Sequence, residues 1–296
     1  MHRIDPSRCL LIDGGVGTEL RSRGVRLDSV AWSGPAALEH GDLLADIHAD
    51  YIQAGADVIT TNTFAATRFV LAAAGFGAEW AEIIRTSVAA AHRARERCAR
   101  PVAIAGSISC LPPAFDVSAY PPPHQEQAAY AELAYLLAEL GVELLVLEMM
   151  EDTVHARRAC AAVRAVGLPC WLGVSARATH NGLTAYDFPA TPFDDVVAAL
   201  VGYAPDVINV MHTPAGHVSA ALAAVRRRWP GAVGAYPEIG DGAAPALGPS
   251  ALAKHAEAWI DAGVRVLGGC CGTRPSHVRA LRALLDHQLG ANGFQP

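Results

Sequence analysis

The 296-residue chain has no surplus of positive charge, no long apolar run and almost no lysine. Its 23 basic side chains face 29 acidic ones, for a net charge of −6. No basic stripe is present to displace counterions from phosphates, which argues against nucleic acid or an anionic membrane as the main partner. No stretch of about 18 or more apolar residues occurs, so nothing reads as a membrane-spanning helix. The opening MHRIDPSRCLLIDGG lacks the apolar core of a secretory leader, because an Asp interrupts it within a few residues, and a cytoplasmic location is expected. The seven cysteines are an odd number in a long chain, and Cys270 and Cys271 are adjacent. That usage suits metal binding or reactive thiols better than a secreted disulfide framework. Disorder is excluded by the 52% hydrophobic content. Small molecules are the expected partners, and assembly into a homo-oligomer is left open.

What is present is an alternation. Short apolar runs at 10–15, 57–63, 102–107, 144–149, 170–175, 207–211, 232–237 and 264–269 read as strands. Ala-rich amphipathic stretches at 43–54, 79–97, 125–140, 153–166, 215–228, 250–262 and 276–289 read as helices between and after them. Strands written as nearly unbroken apolar runs are buried on both faces, as happens when helices cover a parallel sheet. Eight such strands predict an α/β fold, a single (β/α)8 TIM barrel spanning 1–296. A doubly wound open sheet fits less well, because no G-x-G-x-x-G follows the first strand and no linker divides the chain. The Pro-rich segment 111–125, after the third strand, is too long for an ordinary connection and is expected to fold over the barrel mouth as a lid. The single lysine, Lys254, falls in a helix, which nearly removes a Schiff-base aldolase from consideration.

In a barrel the chemistry gathers where strands end. The residues there include Asp13-Gly14-Gly15, Thr61-Asn62-Thr63, Ser107, Glu148, Ser175, His212, Tyr236-Pro237-Glu238 and Gly268-Gly269-Cys270-Cys271-Gly272. Adjacent thiolates flanked by glycines suit one soft-tolerant ion such as Zn2+, with an inert buried pair or a vicinal disulfide as alternatives. Asp13 and Glu148 suit an ammonium group or a metal, and a capping role is open for Asp13. Glu238 adds negative charge, for a cationic substrate, as an oxygen ligand, or simply as a solvated loop carboxylate. His40, His48, His92, His155 and His287 lie in predicted helices or their caps and read as surface or packing residues; His212 directly follows the sixth strand.

These segments resemble the homocysteine S-methyltransferase family, in the branch that uses S-methylmethionine or S-adenosylmethionine. The resemblance is carried by LIDGGVGTEL at 11–20, AWSGPAAL at 31–38, ITTNTFAAT at 59–67, LEMMEDTVHA at 147–156 and, most specifically, GGCCGTRPSHVRAL at 268–281. It implies a homocysteine-binding-type barrel that moves a methyl group from a sulfonium donor to the thiol of homocysteine or a related thiol or selenol, with zinc as cofactor. It further implies Cys270 and Cys271 as metal ligands, Asp13 and Glu148 as holders of the acceptor's amino group, and backbone amides near the mouth, at Gly14 among others, together with Thr63 as positioning groups. The family's third ligand is a Cys in an Asn-Cys pair after the sixth strand, and here the chain reads DVINVMHTP at 206–214. His212 is one candidate to complete a His-Cys-Cys site, since imidazole binds zinc well and a Met thioether poorly; water or another side chain, or no functional zinc, are the others. Glu238 stands where the family usually has Asn. Two further readings stay open: a repurposed barrel that binds an amino-acid or sulfonium ligand without methyl transfer, and a metal-dependent lyase using Glu238 and His212.

Overall fold

The computed structural model describes residues 8–180, 182–240 and 247–292; the ends of the expected span 1–296 lie outside the described residues. Among the described residues, eight parallel strands form one sheet: β1 (Leu10–Leu11), β2 (Val58–Thr60), β3 (Ala103–Ser109), β4 (Leu144–Glu148), β5 (Cys170–Val174), β6 (Val207–Pro214), β7 (Ala232–Glu238) and β8 (Val266–Leu267). Successive strands pair from β2 to β8, and β8 pairs with β1. The ring is joined between β1 and β2 by a bridge from Ile12 to Val58, where the Asp13 N–H donates to the Val58 carbonyl at 3.0 Å.

Alternate residues explain the unbroken apolar runs. Val146, Trp171, Val207, Met211 and Tyr236 fill the barrel interior, while Leu145, Leu147, Leu172, Ile208 and Val210 pack outward under the helices. Both faces are therefore dry. β1, β2 and β8 are shorter than expected; past β1 and β2 side chains take over part of the ladder, whereas past β8 backbone bonds run on into the turn. Asp13 Oδ2 accepts the Thr60 N–H at 2.8 Å, and Thr61 Oγ1 accepts the Ser107 N–H at 3.2 Å.

The expected helices appear with shifted ends: α2 (Ala36–Ala54), α4 (Trp80–Arg97), α5 (Pro123–Glu139), α6 (His155–Arg164), α8 (Val218–Arg226), α9 (Pro249–Asp261) and α10 (Pro275–Asn292). Three were not foreseen: α1 (Val16–Ser22), α3 (Arg68–Ala73) and α7 (Phe193–Leu200). Each is about two turns long, below the window over which a helical period can be recognised. A two-stranded hairpin, Ala176–Thr179 with Gly182–Ala185, was also unforeseen. It projects from the end of β5. The Pro-rich segment forms two 3-10 turns and lies over the mouth, where Phe115 lines the cavity.

His48, on α2, is fully buried, and neither ring nitrogen has a hydrogen-bond partner among the described residues. Burial holds its pKa down to about 4, against 6.5 when solvated. The unfolded chain therefore takes up a proton first as pH falls, so His48 has no linked cost above pH 6.5 and destabilises the fold progressively from there down to pH 4. The loss amounts to about 3 kcal/mol. Denaturant titrations of wild type and His48→Leu at pH 7 and pH 4.5 are expected to show a shallower pH dependence in the variant; identical slopes would contradict this.

Candidate functional site

The two cysteines are delivered by the turn that follows β8. The Gly268 N–H donates to Ala235 O at 3.1 Å, the Gly269 N–H to Asp13 O at 3.1 Å and the Cys270 N–H to Pro237 O at 2.9 Å, which ties the turn to both β1 and β7. Gly272 then reverses the chain with φ +81°, and a Cβ there would lie 2.0 Å from Gly240 O, so only glycine fits. Cys270 and Cys271 are thiols rather than a disulfide.

At the end of β6 the pairing with β7 becomes irregular between Met211 and Pro214. Met211 points into the barrel, its sulfur accepting the Met149 N–H at 3.0 Å. His212 takes the left-handed conformation, φ +44°, and its Nδ1 stands 3.5 Å from Cys270 Sγ. The ligand atoms of His212, Cys270 and Cys271 all lie within 4.8 Å of one another, the one such trio among the described residues.

The electrostatics of the trio favour a cation. The Cys271 thiol beside it and then burial push the Cys270 thiol well above its ordinary pKa, with Glu148 adding to the effect. Burial opposes a charge on His212, but Cys271, Glu238 and Glu151 outweigh it and raise its pKa. A bound ion reverses this logic, because coordination holds thiols deprotonated.

Two carboxylates share the same cavity. Asp13 is buried and accepts the Thr60 hydroxyl at 3.0 Å as well as its N–H; burial, with a contribution from Glu148, keeps its pKa well above the usual range. Glu148 accepts the Ser107 hydroxyl, and burial pushes its pKa up to about 7. Neither carboxylate forms an ion pair among the described residues. Ionising both carboxyl groups in this setting without a cation nearby is costly.

The cavity measures about 460 Å³, within the ~300–1000 Å³ range of small-molecule pockets. Asp13, Gly14, Glu148, His212, Glu238 and both cysteines line it, with Trp32, Phe64, Phe115 and Tyr186 contributing aromatic surface. Gly14 is a point of close approach, since a Cβ would meet Thr273 Oγ1 at 2.8 Å and the Tyr51 hydroxyl at 2.9 Å. Thr63, expected to help position substrate, stands back from the cavity. It is fully buried and absent from the cavity wall, and its hydroxyl donates to Ser107 O at 2.7 Å while contacting Thr61 Oγ1 at 2.7 Å. It braces β2 against β3 below the residue that holds Glu148. Sequence reasoning did not assign roles to Thr60, Ser107, Tyr186 or Glu151. Thr60 and Ser107 follow the inward alternation of β2 and β3 and were legible on that ground; Tyr186 and Glu151 sit in irregular chain with no periodic signal.

Residues 10–285 match the family described as Homocysteine S-methyltransferase. The chain belongs to the homocysteine S-methyltransferase family. It is 26% identical over 313 residues to Homocysteine S-methyltransferase 1 of Zea mays, covering 95% of this chain and 96% of that protein. It is likewise 26% identical over 316 residues to Selenocysteine Se-methyltransferase of Brassica oleracea var. italica, covering 93% and 88%. The crystal structure of the homocysteine methyltransferase MmuM from Escherichia coli in its metallated form matches with a TM-score of 0.76 and 27% identity, over 94% of this chain and 99% of that one. This member of the homocysteine S-methyltransferase family thus carries a His-Cys-Cys trio able to hold a metal at the mouth of the family's barrel.

The turn at Gly272 sets where Cys271 stands. Gly272→Ala forces a left-handed Ala, which costs about 1–2 kcal/mol, and adds the overlap with Gly240 O. The variant is expected to melt at lower temperature and to bind a divalent metal roughly tenfold more weakly; unchanged metal affinity would show that the turn does not place the thiols.

Proposed function

We propose that the protein transfers a methyl group from a sulfonium donor, S-methylmethionine or S-adenosylmethionine, to the thiol of homocysteine or a related thiol or selenol, using zinc held by His212, Cys270 and Cys271. The observation that carries this reading is the trio of S, S and N donors within 4.8 Å on the wall of a cavity that also holds two carboxyl groups, buried Asp13 and half-buried Glu148, neither in an ion pair among the described residues. Two sulfurs and an imidazole are a donor set suited to Zn2+, and three protein ligands leave the open fourth position of a catalytic site. The set lacks the oxygen richness that Mg2+ or Mn2+ prefers, which weighs against a lyase. When bound, zinc supplies the positive charge that lowers the acceptor thiol's pKa into the neutral range.

The remaining work falls to the chain's own groups. Asp13 and Glu148 take the acceptor's ammonium, and Thr60 and Ser107 fix the carboxylates in turn. Held at its amine, the acceptor has its sulfur directed toward the trio on the same wall. Glu238 adds negative potential favourable to a sulfonium. In the transfer the acceptor sulfur's electron pair forms a new bond to the methyl carbon as the donor's C–S bond breaks. Those electrons return to the donor sulfur, leaving a neutral thioether, and the acceptor's thiol proton passes to solvent. The chain acts throughout as one homocysteine-binding-type barrel domain.

Purified protein is expected to carry about one zinc per chain and to methylate homocysteine from a sulfonium donor. Replacing both cysteines by Ala should abolish metal content and turnover together. Glu148→Gln should keep the metal and raise the acceptor KM by roughly tenfold or more. Methyl transfer surviving the double Cys→Ala change would refute the reading.

A further inference from the structure

The hairpin that leaves β5 returns to the site at its foot. Tyr186 presents its ring to the His212 imidazole, centroids 4.6 Å apart and planes at 63°, an edge-on contact. The Arg177 guanidinium lies 4.3 Å from the centroid of the same Tyr186 ring. The next residue, Asp187, donates its backbone N–H at 2.7 Å to Oε2 of Glu151, a fully buried carboxylate just past β4. The start of the hairpin is tied to the same place: the Ala176 N–H donates to Thr213 Oγ1 at 2.8 Å, and that hydroxyl donates to Met211 O at 2.9 Å. The hairpin is thus pinned to the residues on either side of His212.

His212 needs such support. A left-handed non-glycine residue is strained and persists only where its surroundings over-determine it. Its imidazole turns about two side-chain bonds, and a nitrogen donor binds a metal only along its lone pair. Met211, fixed by the Met149 N–H, anchors one side of the backbone; Thr213 anchors the other. Neither limits rotation of the ring.

We propose that Tyr186, seated by Glu151 and Arg177, is a positioning residue that aims the His212 imidazole at the metal. The inference rests on the reading of His212 as third ligand and goes beyond it, assigning to an unforeseen hairpin the task of holding that ligand in register. Its contact is made by the ring, so Phe serves as well as Tyr and an aliphatic residue does not.

The test is zinc affinity of the full chain, measured by competition with a chromophoric chelator, together with the visible absorption spectrum of the Co2+-substituted protein. His212→Ala is expected to lose affinity most. Tyr186→Leu should bind zinc roughly tenfold more weakly and alter the Co2+ bands, while Tyr186→Phe stays within about twofold of wild type. Glu151→Gln, which keeps an acceptor for the Asp187 N–H, should stay near wild type. In a His212→Ala background Tyr186→Leu should have no further effect, a result that general destabilisation does not produce. Should Tyr186→Leu fail to fold, Arg177→Ala at an exposed position carries the same test with a smaller loss, about twofold to threefold.

If His212→Ala weakens zinc binding but Tyr186→Leu leaves affinity and spectrum untouched, or acts equally in the His212→Ala background, the positioning role is overturned and His212 as ligand stands. Equal losses for Phe and Leu overturn it too. If His212→Ala changes neither affinity nor spectrum, the ligand reading itself fails, and this inference with it.

Discussion

Two sulfurs and an imidazole crowd within 4.8 Å in a half-buried corner of the mouth, where neighbouring thiols hinder each other's ionisation, and one cation would resolve the conflict. The rest of the mouth follows from that constraint. The thiols must be adjacent and inward, which demands a chain reversal only glycine tolerates at 272. The imidazole must reach them from another strand, which demands the left-handed turn at His212. Both left-handed residues lie at or just past strand ends, His212 where the β6–β7 register becomes irregular and Gly272 in the turn that follows β8.

The barrel supplies these parts because its strand ends converge. Asp13, Glu148, His212, Cys270 and Cys271 come from β1, β4, β6 and β8 or the turns just beyond them, and their spread over the chain collapses into one cavity. Hydrophobic packing inside the ring, from Trp171, Val207 and Val266, provides a dry floor on which buried carboxylates and thiols have shifted ionisation. The same low dielectric that makes these groups costly alone would strengthen the hold on an ammonium group and a metal ion that we propose for them.

Much of this was legible in the sequence, for identifiable reasons. Strands buried on both faces leave unbroken apolar runs, so all eight were locatable, although β1 and β8 proved to be two residues long. Cys270 and Cys271 announced themselves by adjacency and flanking glycines, and His212 by its place directly after the apolar run 207–211, in what proved to be the last part of β6. The partner of Thr63 was not legible, because a hydroxyl at a strand end can serve a neighbouring carbonyl as readily as a substrate, and here it donates to Ser107 O. Tyr186 and Glu151 were illegible because their significance is purely tertiary. One acquires it from a ring 26 residues away, the other from a backbone amide 36 residues away. Helix α7 escaped for a simpler reason, too few turns to show a period.

The claim that one ion is gripped by Cys270, Cys271 and His212 is tested most directly by X-ray absorption at the zinc edge on metal-loaded protein. The account predicts two sulfur scatterers near 2.3 Å, with nitrogen or oxygen near 2.0–2.1 Å completing a four-coordinate shell whose imidazole signature disappears in His212→Ala. A shell with fewer than two sulfurs, or one unchanged when His212 is replaced, would contradict it.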